Sequence, residues 1–242
     1  MKFKDRLLNR SAAKRTRLIL ALDVIGPERS RISRAETILK DVKESVAGVK
    51  LNFHLLLPFG LNGVKRLITF CSREDIPLIA DLKLNDISST NKEVARQLIK
   101  HRIDAVIANP VTGLNDGLDE LVQLSHAGEL GLILLVYMSH KGAEEIYGTG
   151  QKGLYLFFAE RAKEWNADGV IASAKSDSII RKVRATIGKE IMIFSPGVGV
   201  QGGEARKPIE AGADFIIVGR SIINSSEPGV MAERYKAESY AK

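Results

Sequence analysis

One cysteine, Cys71, stands in the whole chain, so no disulfide can form within it, and a reducing cytoplasmic setting is expected. No apolar run reaches the ~20 residues that a membrane-crossing helix needs. The first residues are basic, but no apolar core and small-residue cleavage site follow, so no secretory signal is read. The four histidines (His54, His101, His126, His140) lack metal-ligand spacing, and no serine triad is visible. Gly148 to Gly153 lacks the G-K-[ST] ending of a nucleotide P-loop. Neither metal ion nor redox cofactor is called for. Absence of low-complexity stretches and long linkers points to one globular domain.

The net charge of +7 suggests a polyanion partner until it is mapped. Residues 1–17 hold seven Lys and Arg against Asp5 alone, so the other 225 residues are nearly neutral. The excess sits on a short amphipathic segment with Phe3, Leu7 and Leu8 on one side. A solvated capping helix is the favoured reading, a polyanion-binding arm the alternative. No nucleic-acid or membrane partner is expected.

Apolar strand-like runs alternate with helical patterns along the rest. The strand candidates are residues 18–23, 48–52, 78–84, 105–109, 131–137, 169–173, 191–195 and 215–218. Runs such as Leu132-Ile133-Leu134-Leu135-Val136 suit parallel strands covered on both faces. Eight strand–helix units in 242 residues match an α/β fold of the (β/α)8 TIM-barrel type. A doubly wound open sheet is the runner-up. The organisation read is a basic arm or helix over 1–17 and a barrel over 18–242.

In such a barrel, chemistry sits at the carboxyl ends of the strands. The run Asp81-Leu82-Lys83-Leu84-Asn85-Asp86-Ile87 sits at such an end and carries two acids and one lysine. Strand alternation points Asp81 and Lys83 the same way. Burying charge is costly without a functional return, which marks this run as catalytic. Asp23 and Lys50 end the first two strands, where they complete a charge-alternating network able to hold sugar hydroxyls and keep Lys83 protonated.

Pro196-Gly197-Val198-Gly199-Val200-Gln201-Gly202-Gly203 follows the seventh strand as a backbone cradle for an anion. It contains G-x-G-x-x-G, but in the seventh unit rather than the first, which argues against a dinucleotide site. Gly219 and Arg220 end the eighth strand, where a helix N-terminus and a guanidinium fork suit a phosphate.

Taken together, these motifs resemble the orotidine 5'-phosphate decarboxylase family, in its short single-function microbial form. Asp81, Lys83, Asp86 and Ile87 fit the family's D-x-K-x-x-D-I, followed by Thr90-Asn91. Asp23 and Lys50 match its strand-one acid and strand-two lysine, and Met138-Ser139-His140 its fifth loop. Pro196 to Gly203 and Gly219-Arg220 match its phosphate grip. The resemblance implies that Lys83 protonates C6 of the pyrimidine, with Asp81 beside the departing carboxylate. It implies ribose contacts from Lys50 and Asp23, a base contact from Ser139, and Pro196 over the base. Gln201, Arg220 and the backbone of 196–206 would hold the 5'-phosphate. Asp86 and Thr90 would reach the site of a second subunit in a homodimer.

Two alternatives stand beside this one. A Mg2+-dependent sugar-phosphate decarboxylase of the same superfamily shares D-x-K-x-x-D. A catalytically silent barrel could bind nucleotides or polyanions through the basic arm. If the barrel is the enzyme, removing residues 1–17 is expected to leave activity largely intact.

Overall fold

The structure, a computed structural model, describes residues 2–150, 153–199 and 205–240. Eight parallel strands run β1 (Leu18–Ala21), β2 (Gly48–Asn52), β3 (Leu78–Leu84), β4 (Ala105–Ala108), β5 (Gly131–Tyr137), β6 (Gly169–Ala172), β7 (Met192–Pro196) and β8 (Phe215–Val218). They pair in chain order and close when β8 returns to β1, Ile216 opposite Leu18. A closed ring leaves no open sheet edge, so the doubly wound alternative is excluded. The ranges of β2, β3, β5 and β8 fall where expected; β1, β4 and β6 end one or two residues earlier, and β7 is displaced by one.

Around the ring lie α2 (Glu28–Val42), α3 (Phe53–Gly63), α4 (Lys65–Arg73), α5 (Ser88–Lys100), α6 (Asp119–Ala127), α7 (Ala143–Tyr147) and α8 (Leu154–Glu164). The circuit ends with α9 (Asp177–Ile187), α10 (Arg206–Glu210), α11 (Arg220–Ile223) and α12 (Pro228–Tyr240). An additional helix, α1 (Phe3–Lys14), precedes β1.

The period-two alternation of the strands divides the apolar residues into two cores. Leu18, Leu20, Val49, Leu51, Val106, Leu132, Leu134, Val170 and Ile193 pack outward beneath the helices. Ile19, Ala21, Ile79, Ile107, Ile133, Leu135, Ile171, Phe194 and Ile217 fill the barrel interior. Parity therefore also fixes which strand-end residues face the barrel mouth.

Phe3 and Leu7 of α1 belong to the interior core and form its floor. The Phe3 ring lies over Gly131 and the Leu7 methyl against Gly48, at the entry ends of β5 and β2, where any Cβ would crowd them. Leu8, grouped with them by sequence, is instead exposed. The basic residues of this helix are not simply solvated. Arg6 pairs with Asp75 and Asp104, and Lys14 with Glu44. Arg10 is buried and donates to the carbonyls of Val46, Glu74, Asp75 and Lys43. Much of the segment's charge is thus spent binding floor loops together.

Aspartates also stitch this end. Asp104, Asp168 and Asp214, each just before an even-numbered strand, accept the N–H of Leu78, Leu132 and Ile193 on the preceding strand.

Candidate active site

At the opposite, carboxyl end the barrel opens into a cleft of about 920 Å³, counted to its open mouth. Its charged wall comes from three adjacent strands. Lys50 on β2 pairs in register with Ile79 of β3, and Asn52 with Asp81, so inward-facing polar residues lie one step apart. Lys50 Nζ lies 2.6 Å from Asp81 Oδ2, and Lys83 Nζ lies 2.7 Å from Asp81 Oδ1. On its other flank Lys50 Nζ approaches Asp23 Oδ1 at 3.8 Å. The charges therefore alternate along Asp23, Lys50, Asp81 and Lys83.

Lys83 reaches this position through an irregularity. Its φ is +47°, in the left-handed region that side chains other than glycine rarely adopt. The β3–β4 register shifts between Ala80 and Leu84, around that residue. Such a conformation costs on the order of 1–3 kcal/mol, and residues that keep it cluster at functional sites.

Lys50 and Asp81 are both 5 % exposed, a burial that isolated ions would not tolerate. Burial pushes the Asp81 carboxyl upward, but the ammonium groups of Lys50 and Lys83 more than reverse this and hold it below its ordinary 3.8. Asp23 Oδ1 is buried and accepts no hydrogen bond, which leaves it free to receive a ligand hydroxyl.

Facing this wall, Pro196, Gly197 and Val198 line the cleft together with Ser139, Gly219 and Arg220. Gly197 and Gly199 have φ of +105° and +94°. A Cβ on Gly199 would run into Ser221 Oγ and Tyr235 Oη, so this position requires glycine. Ser221 Oγ also donates to the Gly199 carbonyl at 2.8 Å. At Gly219 a Cβ would press on Ala21 at 3.2 Å. The helix after it, α11, is a single turn, so the helix-dipole contribution expected there is small.

Of the sequence-derived candidates, Asp23, Lys50, Asp81, Lys83, Ser139, Pro196, Gly197, Val198, Gly219 and Arg220 converge on one cleft, with Gly199 behind it. Val200, Gln201, Gly202 and Gly203 lie outside the described residues. Asp86, Ile87 and Thr90 are exposed beyond the end of β3 and do not line the cleft of their own chain. The Asp86 carboxylate accepts the N–H of Ile87 at 2.7 Å. Within one chain, therefore, Asp81 is the acid that pairs with Lys83 among the described residues.

Several lining residues escaped the sequence reading. Asn52 shares the inward parity of Lys50, a signal that could have found it. Ile107, Leu135, Ile171 and Ile217 make an apolar base, recognisable only once strand parity is known. Lys175, after β6, lies beside Gly197 with Ser139, so loops five, six and seven meet at this point.

Among the described residues no group of three or more His, Cys, Asp or Glu side chains gathers to hold a metal. Lys50 stands between the two carboxylates that a bridging cation would otherwise join.

Comparison with known proteins converges on one group. Residues 16–235 match the family described as orotidine 5'-phosphate decarboxylase / HUMPS. A Pyrococcus abyssi protein named orotidine 5'-phosphate decarboxylase is 37% identical over 211 residues, covering 87% of this chain and 93% of its own. A namesake from Methanococcoides burtonii is 36% identical over 221 residues, covering 91% and 96%. Among solved structures, orotidine 5'-monophosphate decarboxylase from Methanocaldococcus jannaschii, complexed with inhibitor BMP, superposes with a TM-score of 0.81. It has 28% identity and covers 94% of this chain and 99% of its own. The chain belongs to the orotidine 5'-phosphate decarboxylase / HUMPS family.

Proposed function

We propose that this chain decarboxylates orotidine 5'-monophosphate to UMP and CO2, without a cofactor, in pyrimidine biosynthesis in the cytoplasm. The observation that carries the reading is the alternating Asp23–Lys50–Asp81–Lys83 chain, set opposite a glycine loop and Arg220 in one cleft.

The reaction breaks the bond between C6 and the carboxyl carbon and leaves its electron pair on C6, in the ring plane, where the π system cannot delocalise it. Stabilisation must then be electrostatic, and a fixed ammonium aimed at C6 provides it. Lys83 gives its proton to that pair, forming the C6–H bond of UMP, and regains a proton from solvent. Asp81 holds the Lys83 ammonium and faces the substrate carboxylate; it thereby favours departure of CO2. Lys50 keeps Asp81 ionised, and Asp23 with Lys50 binds the ribose hydroxyls. Ser139 contacts the base, which Pro196 covers. The backbone from Gly197 to Gly203, with Gln201, Gly219 and Arg220, grips the 5'-phosphate, whose binding energy orders the site for chemistry.

The exposed Asp86, Ile87 and Thr90 fit a homodimer in which each copy completes its neighbour's site. Exposed Phe53, Leu57 and Val111 at neighbouring strand ends supply apolar area for that contact.

The test is loss of orotidylate's ultraviolet absorbance on addition of purified protein in EDTA. Unchanged turnover in EDTA supports the proposal. No absorbance change contradicts it; Mg2+-dependent release of CO2 from an open-chain sugar phosphate then identifies the metal-dependent alternative, and decarboxylation of neither substrate a silent barrel.

A further inference from the structure

A second cleft lies on the outer wall, between α4 and the end of α5, and shares no residue with the barrel mouth. Lys65, Arg73, Lys100 and Arg102 line it, with the hydroxyls of Thr69 and Ser72, and no acid joins them. None of the four cations has a side-chain partner among the described residues, although most basic residues of the nearby floor helix are paired. The acids closest in sequence are committed elsewhere: Glu74 to Lys43, and Asp75 and Asp104 to Arg6. His101 also lines the groove, Nδ1 against the Gln97 carbonyl at 2.8 Å and Nε2 against Asn62 Oδ1 at 3.2 Å.

Arg73 and Lys100 stand in the last turns of α4 and α5, where the helix dipole favours a cation. The dipole explains one cation at each helix end. It does not explain their convergence with Lys65, at the start of α4, and Arg102, beyond α5. Like charges gathered without a counter-charge repel one another, and a multivalent anion relieves this.

We propose that this groove binds a polyphosphate chain, of two or more linked phosphates. Lysine and guanidinium donors with two hydroxyls match phosphate oxygens in number and kind. No Phe, Tyr or Trp lines the groove, and the one ring there, His101, is held at both nitrogens by Gln97 and Asn62, so a platform for successive stacked bases is missing and single-stranded nucleic acid is disfavoured. Ile68, the one hydrophobic residue in its lining, is 5 % exposed, so no hydrophobic side chain projects for insertion into a lipid surface.

The experiment is calorimetric titration of the intact protein with inorganic tripolyphosphate and, separately, with ATP. It uses wild type, Lys100→Gln/Arg102→Gln, Lys65→Gln/Arg73→Gln and Arg220→Ala, each checked for folding by circular dichroism. The groove predicts saturable, salt-sensitive binding that weakens about tenfold or more in either groove variant as cations are lost, with affinity kept in Arg220→Ala. Preference for ATP identifies a nucleoside triphosphate as the source; equal or tighter tripolyphosphate binding identifies the inorganic chain. Absence of binding to wild type overturns the proposal, as does binding lost with Arg220 and indifferent to the groove variants. Because the groove is separate from the barrel mouth, neither result bears on the decarboxylase assignment.

Discussion

Lys83 and Asp81 sit two residues apart on β3 and meet at 2.7 Å, yet Lys83 does so from a left-handed backbone at the point where the β3–β4 register shifts. A regular strand would also have put them on one face. The irregularity adds a specific placement of the ammonium at the barrel mouth, with Asp81 held between two lysines. Asp81 is the centre of the electrostatic arrangement.

Removing the buried lysine should therefore be severe. In Lys50→Met, Asp81 keeps only the half-exposed Lys83, and loss of one partner of a buried ion pair costs about 3–5 kcal/mol. Urea denaturation should show a loss on that scale. A midpoint within error of wild type would mean that the pair contributes no net stability.

The pH response has a worked sign. Asp81 is held below 3.8 in the folded state, so its contribution is present above its unfolded value and lost as pH falls through the lower folded one. The Asp81 ion pairs should thus survive to pH values below 3.8. At the alkaline end, burial pushes Cys71 from 9.0 up to about 12. Burial, with the Glu144 carboxylate that accepts its hydroxyl, pushes Tyr137 from 10.0 up to about 12. Their raised values stabilise the fold fully below the unfolded values, and that stability is lost as pH rises toward 12. Urea midpoints should fall between pH 9 and 12, with a shallower fall in Cys71→Ala. A midpoint unchanged across that window would contradict the assignment.

The floor helix yields a third prediction. Leu7 is fully buried in the barrel interior, and truncating such a side chain costs about 2–5 kcal/mol. Leu7→Ala should lower the thermal midpoint while leaving KM at the distant mouth unchanged. Wild-type stability would show that α1 is a detachable cap.

Much of this architecture was legible in the chain because parallel strands buried on both faces read as apolar runs with sharp ends. Asp23, Lys50, Asp81 and Lys83 stood out as charges breaking such runs, and parity then brings them to one mouth. Residues without that contrast stayed hidden. Ile107 and Ile171 look like any core isoleucine until inward parity places them beneath the cleft. The ties made by segment 1–17 stayed hidden for a related reason: composition shows its charge, but only folding shows that Arg6 and Arg10 spend theirs on loops far away in sequence. Asp86, expected to reach the site of a second subunit, faces solvent within one chain.

The most direct measurement is orotidylate turnover by Lys83→Ala, with UMP affinity determined on the same preparation. Loss of the proton donor and its charge should lower kcat by about 10³-fold or more, while UMP still binds through Asp23, Lys50 and Arg220. Turnover near the wild-type rate would contradict the role given to Lys83.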